Sequence, residues 1–124
     1  MELHRWSDVK KEQLGPLVMR QVIHGETMTL ARFEVRKGAV LPEHSHVNEQ
    51  ISTFERGRGR FVLGGREVIV SAGESLRIAP NVPHSIECLE DSVVMEVFSP
   101  PREDWIRGDD AYLRSQRGNQ QGNK

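Results

Sequence analysis

Cys88 is the only cysteine, so an internal disulfide is excluded and nothing in the chain marks it for an oxidising compartment. No obvious base stands beside Cys88 in sequence to activate it, which reads as a buried structural thiol rather than a nucleophile. No stretch approaches the roughly 20 apolar residues that a membrane span needs. The opening run, Met1-Glu-Leu-His-Arg-Trp6, lacks the apolar segment of a signal peptide, so a cytoplasmic protein is expected. The formal net charge is only -1, with acids and bases interspersed, which offers neither a nucleic-acid groove nor a membrane-surface patch. No solenoid-type repeat is present, and no helical periodicity competes over residues 27–98. At 124 residues the chain is one domain, long enough for a core without staples.

Short apolar runs separated by turn residues fill the middle of the chain. Strands are expected over 28–35, 51–55, 60–63, 66–70, 75–78, 85–89 and 93–98. Gly64-Gly65 between two such runs is a two-residue hairpin signal. Between 28 and 35, alternation sets Thr29, Ala31, Phe33 and Val35 on one face and Met28, Leu30 and Arg32 on the other. Turns at this spacing imply an all-β fold, a barrel or a two-sheet sandwich. Residues 1–26 form an N-terminal extension in which 18–23 is a possible extra strand, available to another subunit. Residues 27–100 form the barrel, and Pro100-Pro101 stops its last strand. Residues 101–124 form a C-terminal extension. One or two helical turns are expected over 103–114, anchored by Trp105, followed by a frayed polar tail from Arg117.

Histidine is scarce but concentrated. Three of the five fall in His44-Ser-His46-Val-Asn-Glu-Gln50 and, 34 residues after Gln50, at His84. If the run stays extended, positions 44, 46, 48 and 50 share a face. Imidazole is the commonest biological ligand for transition metals. His44, His46, Gln50 and His84 therefore make a candidate site for one divalent ion (Ni, Zn, Fe, Mn or Cu). Glu49 is the rival fourth ligand, because a bulge would reverse its parity. Asn48 has the right parity but sits where a turn can intervene. His4 and His24 read as incidental.

The residues now resemble a family. Gly38, five residues, His44-Ser-His46, Gln50 and Gly57 fit the spacing of the first cupin motif, with Gln in place of the usual Glu. Gly73 through Pro-Asn-Val-Pro to His84 is similar to the second. The resemblance implies a double-stranded β-helix, a jelly-roll barrel with the metal inside, and a homodimer. A narrower resemblance rests on Gln50, His24-Gly25, Pro80-Asn-Val-Pro-His84 and the run from Glu96 to Asp104. It is to the pectin-degradation cupins, which open 4,5-unsaturated monouronates to linear keto forms.

That family's acid, Phe and Arg at the end of the last core strand match Glu96, Phe98 and Arg102, with Glu replacing Asp. The resemblance thus assigns Glu96 and Arg102 to catalysis, and Phe98 and Arg102 to a small anionic substrate. The charge pattern agrees: three imidazoles and a neutral amide leave the ion its full charge, which suits an anion. Arg102 is expected to hold a carboxylate in a two-pronged grip, with Arg60 and Arg77 as substitutes if they face inward. A cupin dioxygenase, a sugar isomerase and a non-enzymatic small-ligand binder are the competing readings.

Overall fold

A computed structural model describes residues 1–114. After a 3-10 turn at Trp6–Asp8 come ten strands: β1 Glu12–Gly15, β2 Val18–His24, β3 Thr29–Val35, β4 Val40–His44, β5 Glu49–Arg56, β6 Arg58–Leu63, β7 Arg66–Ser71, β8 Ser75–Ile78, β9 His84–Cys88 and β10 Ser92–Ser99. Two short helices follow, α1 Glu103–Ile106 and α2 Ala111–Arg114. The strands form a six-stranded sheet in the order β1-β2-β3-β10-β5-β8 and a four-stranded sheet in the order β4-β9-β6-β7. Every pairing is antiparallel. The all-β jelly roll expected from the sequence is present.

Alternation decides which face is buried. On β3, Thr29, Ala31 and Phe33 point inward. On β10 the inward set is Ser92, Val94, Glu96 and Phe98, and on β5 it is Gln50, Ser52 and Phe54. Phe61 of β6 meets Phe54 edge-on across the core, with ring centroids 6.1 Å apart. The β6–β7 turn is the predicted two-residue hairpin: Leu63 pairs with Arg66, and Gly64 and Gly65 both have positive φ.

The extra strand expected over 18–23 is there as β2, and with β1 it is part of the larger sheet. One expectation needs correction: β2 is hydrogen-bonded to β1 on one side and β3 on the other, so both its edges are filled within the chain rather than by another subunit. The polar tail from Arg117 lies outside the described residues. No helix among the described residues is long and apolar enough to cross a membrane.

Gly57 turns the chain from the larger sheet into the smaller one between β5 and β6. Its φ is +87°, and a Cβ there would lie 2.5 Å from Asp91 O and 2.8 Å from Ser92 Cα. Both the backbone conformation and the space demand glycine. Gly57→Ala should cost about 2–4 kcal/mol from strain and overpacking together. Thermal unfolding should show a drop of roughly 10 °C; a shift of a degree or two would mean that the corner yields.

Candidate metal centre

The register places the site at one end of both sheets. On the smaller sheet, His44 of β4 pairs directly with His84 of β9. On the larger, β10 lies beside β5 with Phe98 opposite Gln50 and Glu96 opposite Ser52. Residues 45–48 carry the chain from one sheet to the other, so the run from His44 to Gln50 is not one extended strand. His46 reaches the centre from this connection. Asn48 does not: its amide turns away to donate to Pro100 O at 2.5 Å and Pro101 O at 3.1 Å.

One nitrogen from each of His44, His46 and His84 lies within 4.8 Å of the other two. The hydrogen bonds identify which nitrogen. Nδ1 of His44 contacts Pro42 O at 2.9 Å, Nδ1 of His46 contacts Asn48 O at 3.1 Å, and Nδ1 of His84 contacts Val82 O at 2.8 Å. A carbonyl oxygen can only accept, so each Nδ1 carries the proton and each Nε2 keeps a bare lone pair. This is the arrangement in which a histidine's other ring nitrogen orients it for a metal. His84 Nε2 is buried without a partner. Gln50 Oε1 lies 3.1 Å from His46 Nε2, setting acceptor against lone pair. A cation resolves that conflict and satisfies the orphaned nitrogen, so the residues fit a divalent ion.

Electrostatics keep the ligands in the right form. Burial, chiefly, lowers the pKa of His44 and His46 to about 4, with smaller contributions from neighbouring imidazoles and Arg102. His84 is lowered for the same main reason. Neutral imidazoles are what a metal needs. Glu49 points elsewhere and pairs with Arg77. Arg60 pairs with Glu87 and Glu67. Neither arginine lines the cavity. His4 contacts Glu2, and His24 contacts Thr29, so both stand apart from the cluster.

The cavity, about 90 Å³, is walled by His44, His84, Gln50 and Glu96 over an apolar floor that includes Phe61, Ile86 and Val94. Burial pushes the Glu96 carboxyl above the usual carboxylate range, against the opposing effects of Ser52, Arg102 and Gln50. Its Oε2 accepts from Ser52 Oγ at 2.6 Å and Gln50 Nε2 at 3.1 Å, while Oε1 has no hydrogen-bond partner among the described residues.

Phe98 lines the cavity and stacks edge-on with His46 at 5.8 Å. Arg102 also lines it, but differently from expectation. Its Nε and Nη2 bond both oxygens of Asp104, at 3.0 and 2.8 Å, and Nη2 also donates to Tyr112 Oη. The two-pronged grip is therefore already taken by the protein, and only Nη1 lacks a partner among the described residues.

The roof of the cavity was not anticipated from the sequence. Trp105 lies between two guanidinium groups, with Arg20 4.5 Å and Arg102 4.2 Å from its ring centre. Arg20 is in turn paired with Asp110 at 2.8 Å. Tyr112 Oη accepts from Trp105 Nε1, and its ring lies 5.3 Å from that of His44. Ser52, fully buried beside Glu96, was likewise unforeseen.

The chain is similar to the pectin degradation protein KdgF of Dickeya dadantii, 29% identical over 98 residues, which cover 77% of this chain and 89% of that protein. It is 36% identical over 72 residues to acireductone dioxygenase 1 of Pectobacterium atrosepticum, covering 53% of this chain and 41% of that one. Among solved structures, KdgF from Halomonas sp. superposes with a TM-score of 0.74 at 25% identity, over 80% of this chain and 94% of the other. The cupin domain profile matches residues 31–99, more than half of the sequence and the segment that carries all four candidate ligands, and the chain belongs to the cupin family.

Proposed function

We propose that the protein is a metal-dependent enzyme that opens a 4,5-unsaturated monouronate to its linear keto form. The observation that carries this reading is the cavity itself: His44, His84 and Gln50 line the same small chamber as the buried Glu96 carboxyl, and His46 completes the imidazole cluster with a ring nitrogen within 4.8 Å of those of His44 and His84. The likeness to a protein named for pectin degradation supports it. A divalent ion held by His44, His46, His84 and Gln50 Oε1 would supply Lewis-acid polarisation of substrate oxygens. Such a nitrogen-rich set suits Ni, Zn, Fe, Mn or Cu.

The reaction is an isomerisation and needs no oxidant. The anomeric hydroxyl loses its proton to solvent, the bond from C1 to the ring oxygen breaks as C1 becomes a carbonyl, and the resulting enolate takes up one proton at C4 to give the ketone, so one proton leaves and one arrives. Glu96 holds a proton at Oε1, the oxygen left over by Ser52 and Gln50, and delivers it to carbon. Arg102 Nη1 faces the substrate carboxylate with a single prong, its guanidinium fixed by Asp104. Phe98 packs against the sugar. All of these residues come from one chain.

The test is to incubate metal-loaded protein with the unsaturated monouronate and follow loss of the conjugated ultraviolet absorbance. Unchanged absorbance with every candidate metal would sink the proposal. The likeness to a dioxygenase favours a second reading, and oxygen uptake restricted to Fe(II)-loaded protein would select it.

Gln50→Glu should keep the fold and bind metal at least as tightly, since it adds a charge. The new oxygen, however, takes the place of Nε2, which now donates to Glu96 from 3.1 Å. Two carboxylates so close must share a proton, and the site loses one positive charge toward an anion. Turnover of an anionic substrate should fall by about tenfold or more. Steady-state kinetics with equal metal loading checks this; equal or higher turnover would remove the electrostatic reason for a glutamine.

A further inference from the structure

A carboxylate ligand presents oxygen whichever way round it sits. An amide does not, and Gln50 must be held with Oε1 toward the imidazoles and Nε2 away. The protein has a device for this. Gln50 Nε2 carries two hydrogens, and both are taken: Ser52 Oγ accepts at 2.9 Å and Glu96 Oε2 at 3.1 Å. Ser52 has one hydrogen, which it donates to Glu96 Oε2 at 2.6 Å. Its oxygen is thereby left as an acceptor facing the amide. Reversing the amide would set Oε1 against Glu96 Oε2 and against Ser52 Oγ; the one contact it would gain, from N–H to the bare Nε2 of His46, is the contact that a bound cation excludes.

We infer that Ser52 is a positioning residue that fixes which end of the Gln50 amide faces the three imidazoles. Its place supports this. Ser52 has no accessible surface, lies two residues beyond Gln50 on the inward face of β5, and stands in register with Glu96. A serine there contributes little apolar packing, so its hydroxyl is the reason for it. The inference rests on Gln50 being a metal ligand.

Cobalt(II) gives a test independent of turnover, because its visible absorption bands follow the ligand set. Wild type, Gln50→Ala, Ser52→Ala and Ser52→Cys would each be titrated with cobalt(II). Ser52→Cys fills the volume that Ser52→Ala leaves empty, which covers the case where the alanine variant folds poorly. Both Ser52 variants should shift the bands toward those of Gln50→Ala and weaken cobalt binding by roughly 10–100-fold, the usual cost of losing an outer hydrogen-bond partner. Wild-type bands and affinity in the Ser52 variants, with only a lower melting temperature, would overturn the inference while leaving Gln50 in place. Wild-type bands in Gln50→Ala would remove Gln50 from the ligand set, and the inference with it.

Discussion

Replacing His84 with alanine should strip the metal from the protein and abolish turnover. His84 is 3% exposed, its Nδ1 is spent on Val82 O, and its Nε2 is buried without a partner. No other described side chain stands ready to take its place in the cluster. Loss of an outer partner already costs about 10–100-fold in metal affinity, and loss of a direct ligand should exceed that. Elemental analysis should show occupancy falling from near one ion per chain to near none. Thermal unfolding supplies a second reading. A ligand at 100 times its Kd stabilises the native state by about 2.7 kcal/mol, so added metal should raise the melting temperature of the wild type and leave that of His84→Ala unmoved. Full occupancy in the variant would show that the site is misplaced.

Glu96→Gln should act on the chemistry alone. The amide keeps the shape of the side chain, and its oxygen still accepts from Ser52 and Gln50, so metal binding should persist. What disappears is the transferable proton in the cavity. A positioned acid contributes ~10²–10⁴-fold, and the maximal rate should fall by about that factor at unchanged metal content. A variant with near-wild-type turnover would reduce Glu96 to a prop for Gln50 and Ser52 and refute the proton-transfer step.

The histidine cluster and the barrel were legible because their signals are local. The histidine clustering, the Gly64-Gly65 turn and the alternation along β3 all read correctly from neighbouring residues. Strand β4 was not legible. It contains Pro42, which argues against a strand, yet β4 lies at the edge of its sheet, where a missing N–H is tolerated. The reasoning that put positions 44, 46, 48 and 50 on one face assumed an extended run. The chain instead crosses between sheets, and Asn48 leaves the set to bind Pro100 and Pro101.

The state of Arg102 could not be read either, because an unpaired arginine and one already gripped by Asp104 look the same in sequence. Arg20 and Asp110, 90 residues apart, meet only through the fold. Ser52 is silent for a different reason: a single serine on a strand carries no pattern, and its meaning depends on which amide end lies beside it.

The roof has a consequence for how such a protein can change. Trp105 and Tyr112, with Arg20 and Asp110 that brace them, all fall outside the segment shared with the family, whereas every imidazole of the cage falls inside it. Under the proposed function, those two stretches shape the wall against which a substrate rests, and the central strands supply the imidazoles. Exchange of those stretches between lineages would then alter the fit of a substrate while the inherited cage stays as it was. Chimaeras joined near residues 30 and 100 would separate the two inheritances in the laboratory.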